Sequence, residues 1–193
     1  MDVVLATANP HKLQEIGAIC GDCGINFVLP DSNFNPVEDG ATFEENSLIK
    51  AKEAYRISGN YTLADDSGLC VDVLNGAPGL YSSRYAGTQE EKINKLLTEL
   101  DGKTPRTAKF VCCLTFLDDN GNLIFQTTEE CKGEIVLERK GINGFGYDPI
   151  FIVEDTGKTA SELLPEEKDH YSHRGRAARK MKLILGGLED EKM

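Results

Sequence analysis

The sequence predicts an α/β fold around a mixed β-sheet flanked by helices, and three observations carry that expectation. Short apolar runs alternate with amphipathic helical segments through the first half of the chain. A long hairpin follows: 106–118 and 123–138 both read as extended, and Asp118-Asp119-Asn120-Gly121 between them is a strong turn signal. No internal repeat, low-complexity tract or linker interrupts the 193 residues. Residues 1–193 are therefore read as a single domain, with the hairpin forming a second lobe. A cleft between the lobes is where a small ligand is expected.

The elements follow in order. Residues 2–6 read as a short buried strand. Asn9 is a good N-cap and Pro10 suits the first helical position, so a helix begins there with Leu13, Ile16 and Cys20 on one face. Residues 25–29 read as a strand and 30–41 as a polar loop. Thr42-Phe-Glu-Glu45 spells a capping box for a helix reaching Ser58, with Phe43, Leu48, Ala51 and Tyr55 as its apolar side. Two short strands are expected at 61–64 and 69–74, separated by Asp65-Asp66-Ser67-Gly68. A helix spans 88–100, capped by Thr88. A Gly-rich loop occupies 141–149, a strand 150–153, and helices 165–170 and 173–185, the last ended by Gly186-Gly187.

The formal net charge is −11. Such a surface repels polymeric nucleic acid and anionic membranes. No run approaches the roughly 20 apolar residues of a membrane span, and the N-terminus carries no secretory signal, so a cytoplasmic protein is expected. Six cysteines are too sparse for a disulfide scaffold, and the Cys20-Gly-Asp-Cys23 spacing has no second half to complete a zinc site. They read as reduced thiols packed as small hydrophobes. A small polyanion remains a possible ligand where cations and backbone N–H groups are gathered locally.

Four segments gather chemistry. Thr7-Ala8-Asn9-Pro10-His11-Lys12 joins a strand to a helix N-terminus, where N–H groups, the dipole and Lys12 favour an anion; alone, it is also an ordinary capped turn. Asp65-Asp66-Ser67-Gly68 places two carboxylates at a strand end, where they repel unless a cation such as Mg²⁺ binds. Glu38, upstream, is a candidate second metal carboxylate. Gly144-Phe145-Gly146-Tyr147-Asp148-Pro149 lets backbone pass close to a flat ligand while Phe145 offers a stacking face, or else is a turn anchored by its aromatic. Lys168, His173 and Arg174 form the fourth. The last two fall in a first helical turn, where cations oppose the dipole at about 0.3–1 kcal/mol each; an electron-rich ligand among the three would compensate. Together these parts suit a nucleoside triphosphate.

The motifs then become recognisable. TxNxxKxxE at Thr7–Glu15, TFxEN at Thr42–Asn46, ADDSGL at Ala64–Leu69, GAPGxYSxRY at Gly76–Tyr85, GFGYDPxF at Gly144–Phe151 and EEKxxxSHRG at Glu166–Gly175 occur in that order. The chain closely resembles the inosine triphosphate pyrophosphatase family, house-cleaning enzymes acting on ITP, dITP and XTP, end to end. The resemblance implies a two-lobed α/β fold around a long central mixed sheet, with the active-site cleft between the lobes, and a homodimer. It implies that Asp66 is the proton acceptor and, with Glu38, holds Mg²⁺. Triphosphate contacts fall on Thr7, Ala8, Asn9, Pro10, His11, Lys12 and Ser67. Base contacts fall on Phe145, Gly146, Tyr147, Asp148, Lys168, His173 and Arg174. The expected specificity rests on the acceptor oxygen at C6 of hypoxanthine and xanthine, which Arg174 and a loop N–H can meet and which adenine lacks.

Overall fold

The computed structural model describes residues 1–190. Its strands are β1 (Asp2–Ala6), β2 (Asn26–Val28), β3 (Thr62–Val71), β4 (Thr107–Leu117), β5 (Leu123–Ile135) and β6 (Phe151–Val153). Its α-helices are α1 (Pro10–Cys20), α2 (Phe43–Ser58), α3 (Gln89–Glu99), α4 (Pro165–Tyr171) and α5 (His173–Asp190). The strands form one mixed sheet in the order β2-β1-β3-β4-β5-β6. The α/β class and mixed sheet expected from the sequence are borne out. The described residues group into two compact units. Unit 1 holds Met1–Asp66, Cys112–Glu129 and the chain from Arg174; unit 2 holds Ser67–Val111 and Glu130–His173.

Three local expectations are corrected. The two strands read at 61–64 and 69–74 are one, β3, followed by a 3-10 turn at Asp72–Leu74. The charges of Asp65 and Asp66 do not break the strand because each is matched by cations, described below. Next, Glu45 does not close its capping box on Thr42. Thr42 Oγ1 accepts the Glu45 N–H at 3.1 Å, but the Glu45 carboxylate takes the N–H of Ala41 at 2.6 Å. Finally, α5 runs through Gly186 and Gly187. Each glycine costs about 1 kcal/mol against alanine, too little to end a helix with no proline behind it.

In unit 1, β1 pairs in parallel with β2 and β3, its register with β3 running from Val4↔Thr62 to Ala6↔Ala64. One core joins Leu5, Ile16, Leu63, Leu114, Phe116 and Met181, and a smaller one joins Val4, Ala6, Ala51, Ala54 and Ala64. Each large side chain so buried contributes roughly 1.5–3 kcal/mol. β1 is therefore covered on both faces and ends at Ala6, level with Ala64, so that Thr7 leaves the sheet beside Asp65, where β3 continues.

In unit 2, the core joins Leu69, Ile93, Leu96, Phe110, Ile150 and Phe151. Helix α3 is fixed by a full capping box: Thr88 N donates to Glu91 at 2.8 Å and Glu91 N to Thr88 at 3.2 Å. β5 pairs antiparallel with β6, Gly133 opposite Val153. A Cβ on Gly133 would lie 2.1 Å from the Ile152 carbonyl oxygen and 2.5 Å from the Phe151 ring. Gly133→Ala is accordingly expected to destabilise the protein by about 1–3 kcal/mol, the usual cost of overpacking. A denaturant titration reads this directly; an unchanged midpoint would show that β6 yields freely.

Candidate active site

The β1–α1 turn is built by local hydrogen bonds. Asn9 N donates to Thr7 Oγ1 at 3.0 Å, and Asn9 Oδ1 accepts the His11 N–H at 3.0 Å. Asn9 is the N-cap and Pro10 the first helical residue, as expected. This fixes the first turn of α1 and aims Lys12 toward Asp65 in the middle of β3. Its ammonium donates to the Asp65 carboxylate and lies 3.4 Å from the Asp65 carbonyl oxygen. Burial lowers the Lys12 pKa, and Lys50 and Arg174 add to the effect while Asp65 opposes it.

Asp65 is fully buried. Besides Lys12, it accepts Arg174 Nε at 2.8 Å and the Cys112 thiol at 3.3 Å. Burial alone would push its pKa up; Arg174 and Lys12 outweigh it and hold the carboxyl well below the usual range. Arg174, only 2% exposed, also donates from Nη1 to Glu15 at 2.7 Å. The two cations expected in the first turn of α5 are there, but the compensation found for Arg174 is internal: two carboxylates of unit 1.

Asp66 points to a different partner. Its Oδ1 lies 2.5 Å from Lys50 Nζ, and Glu38 Oε2 lies 3.4 Å from the same nitrogen. Burial raises the Asp66 pKa, against the pull of Lys50 and Lys12. Lys50 keeps its proton strongly despite burial, because Asp66 and Glu38 face it. The Glu38 loop is tied down by Gly40 N, which donates to Asn46 Oδ1 of α2 at 2.9 Å.

The Lys50 ammonium thus marks a point where two carboxylates of the expected metal pair converge on positive charge. All-oxygen donors of this kind fit Mg²⁺, which takes one or two carboxylates and completes its shell with water and phosphate. Among the described residues there is no group of three or more His, Cys, Asp or Glu side chains able to hold a metal alone. The fit is that of a two-carboxylate site.

In unit 2 the Gly-rich loop forms its own cluster. Gly144 and Gly146 have φ of +74° and +64°. Phe145 N donates to Asp148 Oδ2 at 2.9 Å, and Lys168 Nζ donates to the same oxygen at 2.6 Å while lying 4.8 Å from the Phe145 ring centroid. Gly146 N donates to Gln89 at 3.0 Å. Tyr147 is buried and donates its hydroxyl to the Ser82 carbonyl at 3.1 Å. The His173 ring stacks on Phe110 at 4.9 Å, beside a hollow lined also by Phe151, Leu163, Lys168 and Tyr171. A Cβ on Gly144 would lie 2.1 Å from Asp148 Oδ2 and 3.2 Å from Lys168 Nζ.

Of the expected residues, Thr7, Asn9, Lys12, Glu38, Asp66 and Arg174 lie in unit 1, where Lys12 and Arg174 share Asp65. Phe145, Asp148, Lys168 and His173 cluster in unit 2. Ser67 follows Asp66 on β3 with its side chain half-buried. Sequence reasoning missed Lys50 and the part played by Asp65. Of the expected apolar side of α2, Ala51 is buried and Leu48 and Tyr55 are partly buried against the core, but the fully buried face also holds Asn46, Ser47, Lys50 and Ala54. A lysine on the same helical stripe as two alanines was the available signal. The cysteines bear out the plain reading: no disulfide joins them, and burial pushes the Cys20 thiol up to about 12.

A Treponema denticola protein called dITP/XTP pyrophosphatase is 47% identical over 186 residues, covering 92% of this chain and 94% of its own. One of the same name from Synechocystis is 41% identical, covering 93% and 92%. A solved HAM1 protein from Coxiella burnetii superposes with a TM-score of 0.86 at 40% identity, over 96% of this chain and 98% of that one. The Staphylococcus aureus Ham1 structure gives 0.83 at 38% identity, over 99% and 100%. The Ham1 family model matches residues 3–184, and the chain belongs to that family.

Proposed function

We propose that the chain is a Mg²⁺-dependent pyrophosphatase that converts non-standard purine nucleoside triphosphates, dITP and XTP among them, to the monophosphate and pyrophosphate, working in the cytoplasm as a homodimer. The observation that carries the reading is the meeting of Lys12 with Asp65 and of Asp66 with Lys50 and Glu38 beside the end of β1 and the middle of β3, in a chain whose relatives bear the name dITP/XTP pyrophosphatase.

In this reading Thr7 to Lys12 and Ser67 contact the triphosphate. Asp66 and Glu38 hold Mg²⁺, which supplies neutralisation of the phosphate oxygens. Asp66 accepts the proton of the water that attacks the α-phosphorus. Lys12 and the N-terminal turn of α1 stabilise charge on the departing pyrophosphate. Phe145, Gly146, Tyr147, Asp148, Lys168 and His173, with Arg174, contact the base. Lys168 only donates, so it meets the C6 oxygen of hypoxanthine or xanthine and not the amino group of adenine; mismatches of this kind discriminate by factors near about 10⁴.

Steady-state turnover of ITP, dITP, XTP, GTP, ATP and dUTP with Mg²⁺, products identified, tests the reading. Monophosphate and pyrophosphate from the first three, with ATP and dUTP poor, is expected; a preference for dUTP or ATP would sink it. Omitting Mg²⁺ should remove turnover, and light scattering should give twice the chain mass. Gly144→Ala is expected to raise KM for ITP about tenfold and to cost about 1–3 kcal/mol of stability, since the new methyl displaces the Asp148–Lys168 pair at a residue with positive φ. An unaltered KM would separate that pair from the base.

A further inference from the structure

We infer that Asp65 is a positioning residue for the triphosphate: it aims Lys12 at the phosphates, and Arg174 and Glu15 hold it in place to do so. The inference rests on the proposed reading of Thr7–Lys12 as the triphosphate contact and gives a task to two carboxylates outside the proposed catalytic set.

The argument starts from charge. Four ionised side chains of unit 1 run in an unbroken line, Lys12 to Asp65, Asp65 to Arg174 at 2.8 Å, and Arg174 to Glu15 at 2.7 Å. Two positive and two negative groups cancel. The two central members, Asp65 and Arg174, have side chains only 0% and 2% exposed; the ends, Lys12 and Glu15, are 14% and 16% exposed. A carboxylate this deep is costly to bury and persists when it is paired and hydrogen-bonded on all sides. Arg174 supplies a fixed, planar donor to one Asp65 oxygen, and the Cys112 thiol donates to that same oxygen. The other oxygen is left to Lys12.

An unanchored lysine loses rotamer entropy when a phosphate captures it, roughly 0.5–1.5 kcal/mol for an immobilised long side chain. Lys12 has three ammonium hydrogens. Asp65 fixes the ammonium through its carboxylate and, at 3.4 Å, its carbonyl oxygen, so that a phosphate at the β1–α1 turn meets a cation already in place. Glu15 lies one turn after Lys12 on α1. It holds Arg174 from the far side, so that the guanidinium does not draw Asp65 away from Lys12.

A double-mutant cycle tests the idea, with binding of inorganic tripolyphosphate measured by calorimetry and folding checked by thermal melt. Asp65→Asn is expected to weaken tripolyphosphate about tenfold in the native background and less than about twofold in Lys12→Met, because the residue acts through Lys12. Equal weakening in both backgrounds, tighter binding after removal of the negative charge, or no change overturns the inference. Should Asp65→Asn not fold, the same cycle with Glu15→Gln is decisive. A loss of about threefold that vanishes in Lys12→Met supports the line of pairs, and a Lys12-independent or absent effect contradicts it. Nucleotide turnover is scored separately. A wild type that binds tripolyphosphate but releases no pyrophosphate from dITP sinks the proposed function alone, whereas normal turnover with an additive cycle sinks only this inference.

Discussion

Asp66→Asn is expected to lower kcat for ITP by at least about 10³-fold while leaving the fold intact, the loss typical of removing a general base. The substitution keeps side-chain volume and one acceptor oxygen, so the Lys50 ammonium at 2.5 Å retains a partner. What disappears is the negative charge proposed to take a proton and, with Glu38, to bind the metal. The near-ultraviolet circular dichroism should be unchanged, and initial rates of pyrophosphate release should fall to background. Activity within about tenfold of wild type would remove Asp66 from the proton-accepting role.

Asp65→Ala, one residue away, is expected to act on stability. It strips Arg174 of one of its two carboxylates and Lys12 of its carboxylate partner, at a site where Asp65 and Arg174 are 0% and 2% exposed. Breaking a buried pair from one side costs about 3–5 kcal/mol, because the surviving charge stays desolvated. For a chain of this length that lowers the melting temperature by roughly 10 °C. Arg174→Ala should also destabilise, by less, because Asp65 keeps Lys12 and the Cys112 thiol. Differential scanning calorimetry distinguishes the neighbours: Asp65→Ala shifts the transition and Asp66→Asn leaves it near the wild-type position. A melting temperature unmoved by Asp65→Ala would mean that water reaches Arg174 and the buried line of charges is not intact.

How far this was legible in the sequence follows from what each signal depends on. Caps and turns are local, so Asn9, Pro10, Thr88 and the Asp118–Gly121 turn all identify their elements correctly. Periodicity locates α2 and part of its buried face, but hydrophobicity cannot anticipate that Asn46, Ser47 and Lys50 also go inside to meet the Glu38 loop and the middle of β3. β3 was split for the same reason. Two adjacent aspartates read as a break unless their distant cations are known, and Lys12, Lys50 and Arg174 lie 53, 16 and 109 residues from their partners. The local anomaly at His173-Arg174 did flag a real compensation. Its source, carboxylates on β3 and α1, is a matter of tertiary pairing that no local rule contains.

One measurement addresses the central claim, water attack at the α-phosphorus. Hydrolysis of dITP in ¹⁸O-labelled water, followed by mass spectrometry of both products, should place the label in the monophosphate and leave the pyrophosphate unlabelled. Label found in pyrophosphate, or orthophosphate released in its place, would contradict the account.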